Sequence, residues 1–362
     1  MKRFMVVLFA CFLAAQSGWA ARTPLSSIAK DPYISALVLD ADTGKVLFSD
    51  HADAVVYPAS VLKLMDLLVI LNRVNEGSLR LDEMVQVTVD ASRTGGSQVY
   101  LDPREQFSVD ELLYALMVQS ANDAAVALAT HVAGSKEGFV ALMNETAAKL
   151  GMKDTHFYSV NGLPPSDGQK PDVTTASDMA LLCRELAKRP DALQYTGTKV
   201  KGFRQGAFIM RNHNHLLGRI EGSDGFKTGY FTAAGFSIAV TAKRGGKRVI
   251  AIVMGSRDRL VRDAKAADLL EKGFVLMSSK PETAAEASLP ETAVKNGGAA
   301  VSPEAVGEVG TVEKNKDVAV KPGGRWSIFF LGLGVGMGLA GILAVYIWKR
   351  GLKGTSRKFR NF

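Results

Sequence analysis

The stretch from Ser60 to Val74 constrains the fold more than any other part of this chain. After Pro58-Ala59-Ser60 come Val61, Leu62, Leu64, Met65, Leu67, Leu68, Val69, Ile70 and Leu71. A helix here is apolar on nearly every side, so it belongs at the centre of a folded unit rather than on its surface. Such a helix carries Lys63 inward, and because positions i and i+3 share a face, Lys63 Nζ can reach Ser60 Oγ. A serine hydroxyl is nearly inert at neutral pH and needs a proton acceptor, and a lysine becomes one only when burial or a neighbouring cation lowers its pKa. The apolar flanks supply the burial, and the pair reads as a nucleophile beside its base. A second Ser-x-x-Lys, Ser27 to Lys30, lies in a polar stretch with no apolar helix behind it and reads as chance.

Before this helix, Tyr33 to Asp40 and Lys45 to Asp50 read as a hairpin closed by Ala41-Asp42-Thr43-Gly44. After it the chain is mainly helical. Ser108-Val109-Asp110-Glu111 is a capping box that opens a helix ending at Ser120-Ala121-Asn122, and another runs from about Asp123 to His131. Amphipathic helices follow at Phe139 to Leu150 and Ser177 to Lys188. Strand character returns at Gly222 to Tyr230, Gly235 to Lys243 and Lys247 to Gly255, and a helix from about Leu260 to Met277 closes the unit. Strands at both ends with helices between them predict an α+β fold: one antiparallel sheet built from both ends, flanked by helices, with a helical lobe inserted.

The two ends of the 362-residue chain differ from this middle. Lys2-Arg3, an apolar run from Met5 to Ala15 and the small-x-small site Gly18-Trp19-Ala20 read as a secretory signal over residues 1–20. Residues 279–325 contain no aromatic residue before Arg325 and read as a disordered linker. Residues 326–348 carry an uncharged run from Ser327 to Trp348, long enough to cross a bilayer as one C-terminal transmembrane helix, with Trp326, Tyr346 and Trp348 at the interfaces. The basic tail, 349–362, places the C-terminus in the cytoplasm and residues 21–278 outside the inner membrane, in the periplasm. Gly332, Gly334, Gly336 and Gly338 give two Gly-x-x-x-Gly spacings on which two spans could pack as a dimer. The net charge of +8 is accounted for by Lys2, Arg3 and six bases in the tail, so the remainder is balanced and no nucleic-acid partner is expected. Cys11 falls in the leader, which leaves Cys183 alone and no intrachain disulfide to form. The five histidines show no ligand spacing beyond His213-x-His215 in a polar turn, and neither a metal nor another cofactor is expected.

Two further motifs accompany Ser60 and Lys63. Ser120-Ala121-Asn122 falls at a helix junction, where side chains can point into a cleft, and Lys227-Thr228-Gly229 falls in a strand whose glycine permits close approach of a substrate. Ser159-Val160-Asn161 also matches Ser-x-Asn, but Lys-Thr-Gly occurs once and the full set occurs in one order. The set resembles the penicillin-recognising serine acyltransferases, most closely the low-molecular-weight penicillin-binding proteins that are serine D-alanyl-D-alanine carboxypeptidases. The likeness runs from about Pro32 to Phe274 and includes Asp123-Ala124-Ala125, Leu150-Gly151-Met152, Asn212-His213-Asn214 and Asp224 to Gly229.

The resemblance implies a serine β-lactamase/DD-peptidase-like fold and a hydrolase that trims the terminal D-alanine from peptidoglycan stem pentapeptides through an acyl-serine, with β-lactams as inhibitors. It implies that Ser60 attacks and Lys63 takes its proton. Ser120 would relay a proton to the leaving amine, and Lys227 would hold the network and lower the pKa of Lys63 by like charge. Asn122 would hold the substrate peptide, and backbone N–H groups of Ser60 and Tyr230, beside Gly229, would form the oxyanion hole. Thr228 and Arg262 would meet the terminal carboxylate. The chain departs from the family in having a linker and a span where many relatives carry a β-rich domain and an amphipathic helix. It also has His213 where relatives often place a more strongly basic residue. A class A β-lactamase is disfavoured because no Glu-x-x-Leu-Asn stretch lies between Asn122 and Lys227. A D,D-endopeptidase acting on cross-links, and a non-catalytic wall-binding scaffold, remain as alternatives.

Overall fold

The computed structural model describes residues 25–278 except residue 167. All lie in the first of two units into which the chain divides, Met1–Glu286. The leader, linker, span and tail read from the sequence at 1–20, 279–325, 326–348 and 349–362 lie outside the described residues. Among the described residues no helix is long and apolar enough to cross a membrane.

One five-stranded antiparallel sheet joins the two ends of the unit. Strands β1 (Ser35–Asp40) and β2 (Val46–Asp50) form the N-terminal hairpin, while β7 (Ser223–Phe231), β8 (Gly235–Arg244) and β9 (Lys247–Ser256) come from the C-terminal part. The order is β2-β1-β9-β8-β7, with β1 pairing β9 from Ser35 opposite Met254 to Asp40 opposite Val249. Strand period sorts the side chains. Ala36, Val38, Val249, Ala251, Val253, Ile238, Val240 and Ala242 belong to a core beneath the C-terminal helix, whereas Leu37, Leu39, Ile250, Ile252 and Met254 join the main core shared with the helical lobe.

The lobe is built around α1 (Lys63–Asn75), whose first nine residues, Lys63 to Leu71, are all buried. The expected helix from Ser60 begins as a 3₁₀ turn, Ala59–Leu62, before becoming α at Lys63. At three residues per turn this places i and i+3 one above the other, so the change brings Ser60 and Lys63 closer into line. A one-turn helix α2 (Val89–Ser92) and a short ribbon of β3 (Met84–Gln86) with β4 (Gln106–Ser108) lead to α3 (Val109–Tyr114). This last helix opens with the expected capping box: Ser108 Oγ accepts from Glu111 N at 3.2 Å and Ser108 N donates to Glu111 Oε2 at 3.1 Å. A π turn, Ala115–Gln119, then carries the chain to Ser120 and into α4 (Asn122–Ala133), followed by α5 (Lys136–Leu150) and α6 (Ala176–Ala187).

Several elements have no counterpart in the sequence reading: the one-turn α2, the β3–β4 ribbon, a short helix at 190–197 and a hairpin at 200–211. The eight-residue α7 (Pro190–Gly197), with Pro190 at its first position, is too short to show a helical repeat. The hairpin of β5 (Val200–Phe203) and β6 (Phe208–Arg211) turns through Arg204, Gln205 and Gly206, all at positive φ. Arg204 fastens that turn to the loop before β4: its guanidinium donates to Glu105 at 2.7 and 2.8 Å and to the carbonyls of Val99 and Tyr100 at 2.6 and 2.7 Å.

The closing helix α8 (Arg259–Ser278) lies on the sheet at Gly273. A Cβ there would sit 2.6 Å from a Val249 methyl and 2.9 Å from a Val38 methyl. Gly273→Ala should therefore destabilise the fold by about 1–3 kcal/mol through overpacking, even though alanine is the better helix former. Denaturant unfolding followed by circular dichroism measures it.

Candidate active site

Lys63 Nζ lies 2.9 Å from Ser60 Oγ, 2.8 Å from Asn122 Oδ1 and 2.7 Å from the carbonyl oxygen of Asn161. Asn122 Nδ2 donates to the Gly95 carbonyl at 2.7 Å, which fixes the amide so that its oxygen faces the lysine. A neutral amine has two N–H donors and one lone pair, and the Asn122 and Asn161 oxygens can only accept. They take both N–H groups, so the lone pair is left for the one neighbour able to donate, the Ser60 hydroxyl. Burial lowers the Lys63 pKa to about 7, against the opposing pull of Asp66, Asp172 and Asp123. The Lys227 pKa is likewise driven well down, by burial first and then by the like charges of Lys63 and Arg262.

The backbone around Ser60 is squeezed between two glycines. A Cβ on Gly229 would lie 2.7 Å from the Pro58 oxygen and 2.9 Å from the Ser60 nitrogen, so the Lys-Thr-Gly strand passes directly over the nucleophile's peptide. A Cβ on Gly162 would collide with the carbonyl of Ala59. Ala59 and Ser120 both hold positive φ, at 46° and 59°, a conformation that costs about 1–3 kcal/mol and is concentrated at functional sites. At Ser120 it breaks the chain between the π turn and α4, where Ser120 lines the same cavity as Ser60.

A cavity of about 280 Å³ opens between these elements and is lined by Ser60, Ser97, Ser120, Thr228, Gly229 and Tyr230, with His213, His215, Phe236, Arg259 and Arg262 completing it. Ser60, Ser120 and the Lys-Thr-Gly strand thus meet at one opening, as the spacing of the motifs predicts. Two of the expected residues are turned elsewhere. Asn122 is buried, and the polar contacts of its amide are to Lys63 and Gly95. Lys227 is buried as well, its Nζ donating to the Thr228 carbonyl at 3.0 Å. The geometry is that of an acyl-transfer site: a hydroxyl aimed at an amine base, a second hydroxyl across the opening, and a strand edge beside both.

The D-alanyl-D-alanine carboxypeptidase family of S11 peptidases matches residues 26–258. The chain belongs to this family. It is 34% identical to the D-alanyl-D-alanine carboxypeptidase DacF of Bacillus subtilis over 266 residues, covering 73% of this chain and 67% of that one. Identity to DacC of Escherichia coli is 36% over 270 residues, covering 73% and 66%. The chain thus spans about two thirds of the length of these curated relatives. Penicillin-binding protein D2 from Listeria monocytogenes, solved in an ampicillin-bound form, superposes with a TM-score of 0.62 at 34% identity, over 70% of this chain and all of that one.

Within this S11 peptidase the cavity is rich in cations. Arg262 is buried, its guanidinium held by Asp263 Oδ1 at 2.9 and 2.5 Å and by the Ser237 carbonyl at 3.1 Å, and Arg259 lies 2.7 Å from His215 Nδ1. His213 does not add to the charge: burial and then Lys227, His215, Lys63 and Arg262 push its pKa down to about 4, so the ring is neutral at neutral pH. Side-chain reasoning missed Asn161 because it acts through its carbonyl, which any residue carries. The match at Ser159 to Asn161 that looked redundant is therefore part of the site. Its loop is drawn into place by Asp172, which accepts from Tyr158 N at 2.6 Å, Ser159 N at 2.9 Å and Ser159 Oγ at 2.6 Å. Ser97, Phe236 and Arg259 carried no motif, and His215 was read only in the His213-x-His215 spacing, so their place at the cavity was likewise not anticipated.

Because Gly162 lets this loop close on Ala59, Gly162→Ala should push the Asn161 carbonyl away from Lys63. We expect a stability loss of about 1–3 kcal/mol from overpacking. Acylation of Ser60 by a fluorescent penicillin should slow by about tenfold or more, read as the second-order labelling rate.

Proposed function

We propose that this S11 peptidase is a serine D-alanyl-D-alanine carboxypeptidase that removes the terminal D-alanine of peptidoglycan stem pentapeptides through an acyl-serine. The observation that carries this reading is the lone pair of Lys63, left for Ser60 once Asn122 and Asn161 have taken both N–H groups. Ser60 Oγ attacks the carbonyl carbon between the two D-alanines as its proton passes to Lys63 Nζ. The negative oxygen of the tetrahedral intermediate lies against backbone N–H groups of Ser60 and Tyr230, a role supported by the passage of Gly229 over the Ser60 peptide. As that intermediate collapses, the C–N bond breaks and the departing amine takes a proton from Lys63 by way of the Ser120 hydroxyl. Water then attacks the acyl-Ser60 ester and restores the hydroxyl.

The terminal carboxylate is met by the Thr228 hydroxyl and the charge of Arg262 at the cavity wall. With His213 neutral, Arg262 carries more of that recognition than a strongly basic partner at 213 would leave it. A β-lactam presents the same acyl bond and carboxylate, and its leaving group stays tethered after ring opening, so it should trap Ser60. The ampicillin-bound and cefotaxime-bound relatives from Listeria support this. The apolar leader and the uncharged run from Ser327 to Trp348 support a periplasmic unit tethered to the inner membrane, and the glycine spacing in that run supports pairing of two spans.

Incubation with fluorescent penicillin and with a D-alanyl-D-alanine-terminated pentapeptide should give a labelled Ser60 and free D-alanine, both abolished in Ser60→Ala. Labelling without released D-alanine would shift the assignment to an endopeptidase or scaffold, and no labelling would overturn the site itself. The base must be unprotonated to act, so the acylation rate should rise with pH through about 7 and then level off. Stopped-flow acylation across that range tests the sign, because a lysine of ordinary pKa would leave the rate still climbing above pH 9.

A further inference from the structure

Asp66 lies in the first turn of α1, 2% exposed, and neither carboxylate oxygen has a hydrogen-bond partner among the described residues. A buried polar group without a partner is costly and a buried charge more so, which makes this position in an otherwise apolar run unexpected on packing grounds. It stands three residues beyond Lys63, on the same face of the helix.

The groups around the pair come from four elements. Lys63 and Asp66 are on α1, Asp123 is on α4, Asp172 is on the loop before α6, and Lys227 is on β7. Two of the three acids are already provided for. Asp123 accepts from Val99 N, Leu101 N and Ala124 N at 2.9 to 3.1 Å, and Asp172 from Tyr158 N, Ser159 N and Ser159 Oγ. These donors absorb much of their negative charge. Lys63 itself touches only neutral acceptors: Ser60 Oγ, Asn122 Oδ1 and the Asn161 carbonyl. When it takes the Ser60 proton it becomes an ammonium with no anion in contact.

We propose that Asp66 is a positioning residue for this proton transfer: its carboxylate, one turn along the helix, supplies the counter-charge for the ammonium that forms on Lys63. The inference rests on the reading of Lys63 as the base for Ser60. Proton balance is simple. One proton leaves Ser60 Oγ and resides on Lys63 Nζ and Asp66 takes none, so with Asp66 ionised, as the proposal requires, the Lys63–Asp66 pair passes from a single negative charge to neutrality. Asp66 raises Lys63, while burial, the larger cause, holds the Asp66 carboxyl well above the usual range and Lys63 lowers it, so the charge on Asp66 is what the test decides.

The test uses the full-length chain and the second-order rate of Ser60 acylation by a penicillin from pH 5 to pH 10. In Asp66→Asn the ammonium loses its counter-charge, so the acid limb should move down by about one pH unit or more. The alkaline plateau should fall by about tenfold, because the amine has become a weaker base. Asp66→Glu should return the limb toward the wild-type position. A limb that stays in place while rates fall equally at every pH would mean a structural role only and would overturn the proposal. Should Asp66→Asn fail to fold, the wild-type protein decides through ¹³C NMR of labelled aspartate carboxyls. A buried carboxyl that ionises at or below the pH of the acylation limb supports the inference, and one still protonated at pH 9 overturns it. If penicillin does not label Ser60 at all, the functional reading fails, and the NMR titration still reports independently on whether Asp66 is charged beside Lys63.

Discussion

An amine in a protein interior must place its N–H groups as carefully as its charge, and at Lys63 they go to an Asn122 side chain and an Asn161 carbonyl rather than to water. Each partner is brought there by its own device. The positive φ of Ser120 breaks the helical path just before Asn122 enters α4. Asp172 gathers the backbone of Tyr158 and Ser159, and Gly162 lets that loop settle against Ala59. The apolar shell of α1 does the remaining work by withholding solvent. What results is a base defined by subtraction: after the fixed acceptors are satisfied, the serine is what remains to be served. The chain encodes the reactivity of Ser60 less in Ser60 than in the residues that occupy the other sites on the lysine.

Charge around the opening is managed by distance. Cations stand at the wall, in Arg262 and Arg259, while the acids that balance them sit a layer back, as Asp263 does behind Arg262. An anionic group entering the cavity therefore meets positive charge before it meets any carboxylate. The histidine at 213 is kept neutral by burial first, and then by the positive groups around it, Arg262 among them. The arrangement spends one basic position in order to keep its neighbours' fields directed at the ligand.

Much of this was legible in the sequence, and the boundary of legibility follows physical lines. The all-round apolar run located the central helix, β-branched runs located β1, β8 and β9, and the capping box located α3 to within a residue. The expected strands and helices at both ends of the unit fell within a few residues of the observed ones. Elements held by a few tertiary contacts did not announce themselves. The eight residues of α7 are too few for a periodic pattern, and the hairpin at 200–211 owes its turn to Arg204 reaching Glu105, about a hundred positions away in sequence. In the site, chemistry carried by side-chain type was readable, and chemistry carried by a backbone carbonyl, as at Asn161, was not. Asp66 marks a third category. It stood unremarked within the apolar run, and its relation to Lys63 acquires meaning only once its burial and its lack of a hydrogen-bond partner among the described residues are known.

The pairing of β1 with β9 bears on how the molecule is made. The first strand emerges with its hydrophobic face bare and waits for a partner more than two hundred residues later in the chain, through the synthesis of the whole helical lobe. Contacts of such separation form slowly, because the loop they close must be ordered before it is rewarded. The nucleophile belongs to the early part of the chain and the strand that crosses over it to the late part. A nascent chain therefore carries Ser60 long before it carries a working site, and chemical competence arrives with the last strands, as a consequence of topology rather than of any added control.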